Sequence, residues 1–131
     1  MKKTLALLIV IITLTFVFAS CASLDSYKEN LGADYKTDLY DYDEIEELAD
    51  DFDIDKEVYE ISAVMYAKDR SHGYYAYFIE CGSGNQAEAL VSELQDVVKL
   101  MNKYYSFTVE AIADSKYVLV GHSDVIRVAL D

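Results

Sequence analysis

Residues 5–19 form an uncharged apolar run directly after the positive start Met1-Lys2-Lys3-Thr4. As a helix of 1.5 Å rise per residue, this stretch of 15 residues would cover only about 22 Å, short of the ~30 Å hydrocarbon core of a bilayer. Its length suits the apolar region of a secretory leader, with the positive end kept cytoplasmic and the remainder exported. The run therefore limits what the rest can become. Without residues 1–20, 111 of the 131 residues remain, enough for one domain and too few for two.

Both leader lysines leave with the run, so that remainder carries 9 bases against 24 acids, a formal charge of −15. Such a surface repels phosphate backbones and anionic headgroups alike. Nucleic-acid partners are disfavoured on this ground, and membrane binding through a basic face is excluded. Proline is absent and tyrosine appears 12 times. Tyrosines offer contact area with a hydroxyl at low entropic cost, but most are expected to pack in strands.

The run ends in Phe18-Ala19-Ser20-Cys21. An apolar residue, two small ones and Cys resemble the lipobox of bacterial lipoproteins, with Phe18 where Leu is commoner. The resemblance covers the first 21 residues. It implies diacylglyceryl transfer to the Cys21 thiol, cleavage between Ser20 and Cys21, and palmitate-type anchorage at the extracytoplasmic face of the cell membrane. Two acyl chains hold a protein stably where one does not. The small residues at 20–22 equally suit an ordinary signal peptidase and a secreted product, and an uncut leader is a third arrangement. If Cys21 is lipidated, Cys81 has no intrachain partner. It then reads as a small buried hydrophobe.

The expected division is a signal peptide at 1–20, a lipidated N-terminus and tether at 21–39, and a single α+β domain at 40–131. A flexible tether of that length reaches ~20–25 Å. Residues 40–52 show Ile45, Leu48, Ala49 and Phe52 at helical spacing, with Asp41 and Glu44 placed as a capping box. Residues 58–67 and 74–81 read as a β-hairpin about a polar turn. A long helix over 85–104 follows the cap Ser83, with Leu90, Val91, Leu94, Val97, Val98 and Met101 on one face. Strands at 107–113 and 117–120 precede a short helix at 124–130 capped by Ser123 or Asp124. The order α-ββα-ββα predicts a four-stranded antiparallel sheet with helices on one face. The recurrence of strand, Gly, cap and helix after Cys81 and Val120 hints at two related halves.

Three clusters bear on chemistry. Asp51, Asp53 and Asp55 match the first ligand positions of a calcium loop. Lys56 stands where that loop needs Gly, however, and Ser62 where it needs Glu. A solvated acidic loop over 50–57 is the expectation. His72 lies in a turn and His122 before the last helix, with no zinc-ligand spacing around them. His122-Ser123-Asp124 holds the residue types of a hydrolase triad, but consecutive residues cannot face one another as a triad requires. Gly82-Ser83-Gly84 lacks the Lys of a phosphate loop. No cofactor follows from any motif. The sequence thus points to a lipid-anchored, non-enzymatic binding module for an envelope protein, a wall component or a small ligand. The alternatives are an enzyme or enzyme accessory built around His72 and His122, or a calcium-dependent module using residues 50–57.

Overall fold

The computed structural model describes residues 23–106 and 108–131. The leader, Ser20 and Cys21 lie outside the described residues. The elements in chain order are α1 (Leu24–Leu31), β1 (Tyr35–Leu39), α2 (Tyr42–Asp51), β2 (Ala63–Asp69), β3 (Tyr75–Glu80), α3 (Gly84–Tyr104), β4 (Val109–Asp114), β5 (Tyr117–His122) and α4 (Ser123–Leu130). The class is α+β. The sheet has five strands rather than four, ordered β1-β2-β3-β5-β4, and every neighbouring pair is antiparallel.

The extra strand and helix come from the stretch expected to be a tether. Ser23 caps α1 through a reciprocal bond pattern with Ser26, and Gly32 at φ 74° ends it. Tyr27 and Leu31 are buried, and β1 then pairs along β2 from Tyr35↔Asp69 to Leu39↔Met65. Burial of one helical stripe stabilises a segment whose propensity alone would leave it unformed.

Helices cover both faces, not one. On the first face Ile45 and Leu48 of α2, with Ala87, Leu90, Leu94 and Val98 of α3, pack over Val64, Ile79, Val118 and Val120. On the second, Tyr27 and Leu31 of α1 join Val125, Ile126 and Ala129 of α4 over Met65, Phe78 and Leu119. Alternate residues of β5 thus enter opposite clusters, and all six are buried. A strand apolar on both sides must be covered on both sides, which excludes a one-faced sheet. Because α3 and α4 leave their hairpins for opposite faces, no two-fold axis normal to the sheet relates the two ββα units.

The first helix expectation holds in detail: Asp41 caps α2, and its side chain and that of Glu44 bond reciprocally to backbone N–H groups. The long helix starts at Ser83, whose hydroxyl accepts from the Gln86 N–H. Strand β2, by contrast, begins at Ala63 rather than 58. Residues 56–61 instead form a turn closed by Ile61 N–H to Lys56 carbonyl, and the Gln86 side chain holds the Val58 carbonyl. Neither Ser123 nor Asp124 caps α4. The His122 imidazole does, its Nδ1 accepting from the Asp124 N–H at 3.1 Å.

Candidate functional site

The two histidines, 50 positions apart in the sequence, meet at one end of the sheet. The cause is topology. His72 sits in the β2–β3 turn, and β3 pairs with β5 so that Ala76 lies opposite Gly121. Tyr74 then falls against His122, rings stacked at 3.9 Å between centroids and 9° between planes. His72 stacks on Tyr74 in turn, at 5.2 Å and 13°. The result is a three-ring column, imidazole–phenol–imidazole.

Each imidazole is oriented by a different bond. His72 Nδ1 lies 3.1 Å from Asp69 Oδ2, so that nitrogen carries the proton it donates. The Asp69 carboxylate also accepts from the Ser71 N–H at 2.8 Å. That backbone bond, followed by His72, holds the carboxyl below the usual carboxylate range against the opposing effect of burial. His122 Nδ1 is an acceptor, which places its proton on Nε2. His122 is buried whereas His72 is exposed.

Beside the column opens a pocket of about 240 Å³, walled by His72, Tyr75, Met101 and His122 among others, with Val109, Gly73 and Gly121 completing its lining. Among the described residues no carboxylate lines it. It draws on β3, β4, β5, the β2–β3 turn and the last turns of α3, so several elements fix its shape.

Tyr75 leads from this pocket onto a tyrosine floor on the α2–α3 face. Tyr66 and Tyr77 are cross-strand partners with centroids 5.5 Å apart. Tyr75 lies within 6 Å of both, and Tyr40 and Phe52 close the cluster over Tyr77. Such aromatic pairs stabilise a sheet beyond the area they bury. At its far side Tyr40 and Tyr77 line a second pocket of about 200 Å³ with Glu44, Glu47, Leu48 and Asp51.

Of the acidic-loop residues, Asp50, Asp55, Lys56 and Glu57 line an open pocket of about 320 Å³ with Glu46, Ala49 and Ile54, but the three aspartates expected as ligands do not converge on one point. Asp51 ends α2, Asp53 adopts φ 54°, and Asp55 accepts from the Glu57 N–H in a local turn. Among the described residues no three His, Cys, Asp or Glu side chains converge to hold a metal ion. The cation in this acidic loop is Lys56, paired with Glu46 at 3.1 Å and set over the Tyr42 ring at 3.6 Å. His122, Ser123 and Asp124 do not form a triad. The Asp124 carboxylate turns to Arg127, and the buried Ser123 hydroxyl meets no hydrogen-bond partner among the described residues. Cys81 is buried in the first core cluster. Burial, then the Glu80 charge, pushes its thiol up to about 11, which keeps it protonated and unreactive. No described helix is long and apolar enough to cross a membrane.

Sequence reasoning named His72 and His122 but missed Tyr74, Tyr75, Met101, Val109 and Gly121. Gly121 alone left a sequence signal, as a glycine inside a strand of otherwise apolar residues. Comparison with protein-family models, curated proteins and solved structures finds no match for this chain.

Proposed function

We propose that this protein is a bacterial lipoprotein, anchored through Cys21 at the extracytoplasmic face of the cell membrane. Its domain acts as a non-enzymatic binding module, and its pocket takes a small uncharged aromatic ring compound. The observation that carries the binding role is the His72–Tyr74–His122 column beside a pocket of about 240 Å³. This volume exceeds the ~150 Å³ that holds benzene and falls below the ~300 Å³ at which drug-sized sites begin. One or two fused rings match it. Aromatic walls, a thioether and a valine favour such a ligand by stacking and dispersion. The net charge of −15 without residues 1–20 disfavours an anion, and no carboxylate among the described lining residues is there to partner a cation.

The anchorage follows from Phe18-Ala19-Ser20-Cys21 and the short apolar run before it. Wild-type cells fed labelled palmitate should yield a labelled protein that sediments with membranes. Cys21→Ala should lose the label, and either stay as an uncut precursor or appear in the soluble fraction. A mutant that fractionates and labels like wild type would end the lipoprotein reading.

For the pocket, indole is a suitable probe. Its titration should shift the resonances of Tyr74 and His122 saturably in the micromolar to low millimolar range. Met101→Trp, which fills the pocket from α3, should abolish the shift while leaving the far-ultraviolet circular dichroism unchanged. Linear or absent shifts up to several millimolar would remove the binding role from this pocket.

A further inference from the structure

We propose that the anchored domain is seated directly on the bilayer, with the β4–β5 turn beside the headgroups and the ring pocket held at the opposite end. The proposal rests on lipidation of Cys21 and adds what the fold does with it. Only Ala22 lies between Cys21 and Ser23, where the described fold begins. The two chain steps from Cys21 to Ser23 span at most about 7 Å. The ~20–25 Å reach expected of a flexible tether is therefore gone.

Helix α1 is also fastened along its length, so its entry point is set by the body of the domain. Ser23 and Ser26 close the capping box. One turn on, the Tyr27 hydroxyl donates to Asp114 Oδ2 at 2.6 Å, and its ring packs edge-on against Tyr117 at 5.6 Å. Near the other end, Asn30 Nδ2 donates to the Ala129 carbonyl. Asp114 and Tyr117 flank the β4–β5 turn and pair with each other. The chain therefore enters at that end of the sheet.

The pocket lies at the other. His122 pairs with Val109 at the far end of the same hairpin, five residues along β5 from Tyr117, or about 17 Å at strand rise. His72 and Tyr74 extend beyond it in the β2–β3 turn. The two charged side chains at the described β4–β5 turn are both engaged within the domain. Lys116 is paired with Glu80 at 3.2 Å, and Asp114 is engaged by Tyr27. The lipid holds the domain, and the shortness of the link orients it.

Ser115 and Ser71 are both exposed and mark the two ends, while Cys81, 1% exposed, escapes labelling in the folded protein. The test uses the mature lipidated protein in phosphatidylethanolamine–phosphatidylglycerol vesicles that contain a headgroup-bound quencher. A fluorophore on Ser115→Cys should be quenched several-fold more than one on Ser71→Cys. A flexible Gly/Ser insert of about 20 residues before Ser23 should bring the two to similar quenching. Equal quenching without the insert, in protein whose mass shows the lipid, overturns the seating and leaves the anchorage intact. Protein recovered without lipid overturns both.

Discussion

Gly121→Ala should remove a large share of the stability of this protein. Gly121 adopts φ 147°, a conformation that L side chains rarely take, and a Cβ there would lie 2.5 Å from both the Ala76 Cα and the Tyr75 carbonyl oxygen. Both obstacles are backbone of β3, held in register by the β3–β5 ladder, so neither can yield as a flexible side chain would. Overpacking costs about 1–3 kcal/mol, and a residue forced into a sparsely populated backbone region adds a further ~1–3 kcal/mol. The sum, ~2–6 kcal/mol, reaches the lower end of the 5–15 kcal/mol that a domain typically has. Urea unfolding should show a midpoint moved far toward zero denaturant, or no cooperative transition at all. Gly73→Ala is the control. Its φ is 76°, but its Cβ would meet only the end of the Lys68 side chain at 3.7 Å, so it should lose only about 1 kcal/mol. If the two variants unfold together, β5 does not approach β3 as described.

The second large effect is an alkaline one. Burial, as the leading cause, pushes the phenols of Tyr27, Tyr35, Tyr40, Tyr59, Tyr66 and Tyr77 above their ordinary value. For Tyr27 the bond to Asp114 adds to burial, and for Tyr77 the neighbouring Tyr40 does. A group whose folded value is raised contributes stability that is complete below its unfolded value, near 10 for tyrosine. That contribution is lost as pH climbs beyond it, because the unfolded chain ionises and the folded one resists. For a phenol still neutral in the fold at pH 11, the loss is about 1.4 kcal/mol, so Tyr27 and Tyr77 together remove ~3 kcal/mol there. The Cys81 thiol, pushed up to about 11, works in the same direction. The protein should therefore unfold cooperatively between about pH 10 and 12, with tyrosinate absorbance and loss of circular dichroism appearing together. Tyr27→Phe should move that midpoint upward. Smooth titration of all the tyrosines in a protein that keeps its circular dichroism would contradict this account.

How much of this was legible in the sequence differs from element to element. Helix α3 shows its start at Ser83 and its buried face at Leu90, Leu94 and Val98 by spacing alone, and the structure keeps both. Local chemistry settles such an element. Helix α1 has the same kind of marks in fainter form: Ser23 before it, Leu24, Tyr27 and Leu31 on one stripe, Gly32 after. Five polar residues among eight hid the stripe, and only the docking of α4 reveals its worth. Strand β1 is polar at Lys36, Thr37 and Asp38 because it is an edge strand, half of whose surroundings is water. The second covered face was readable in the unbroken apolar runs of β3 and β5, which a one-faced sheet cannot accommodate. The site was legible only as two separate histidines. Their meeting depends on β3 lying beside β5 rather than β2 lying beside β4, and no local pattern encodes that choice. Tyr74 and His122 become neighbours through strand order, not through any motif either belongs to.

The same strand order shapes how the chain reaches this structure. The β2–β3 and β4–β5 hairpins close over 5 and 2 residues respectively, and such local pairings form within microseconds. The β3–β5 seam joins Ile79 to Val118 across 39 positions, with the whole of α3 between. Closing that seam costs chain entropy before either core cluster gains from it. The slow step expected of this topology is therefore the docking of one hairpin on the other. With no proline in the chain, no prolyl isomerisation competes with that step. Side chains at the seam, Phe78 and Leu119 among them, govern how fast the domain forms. Those of α1, which pack outside that seam, should act mainly on the unfolding rate.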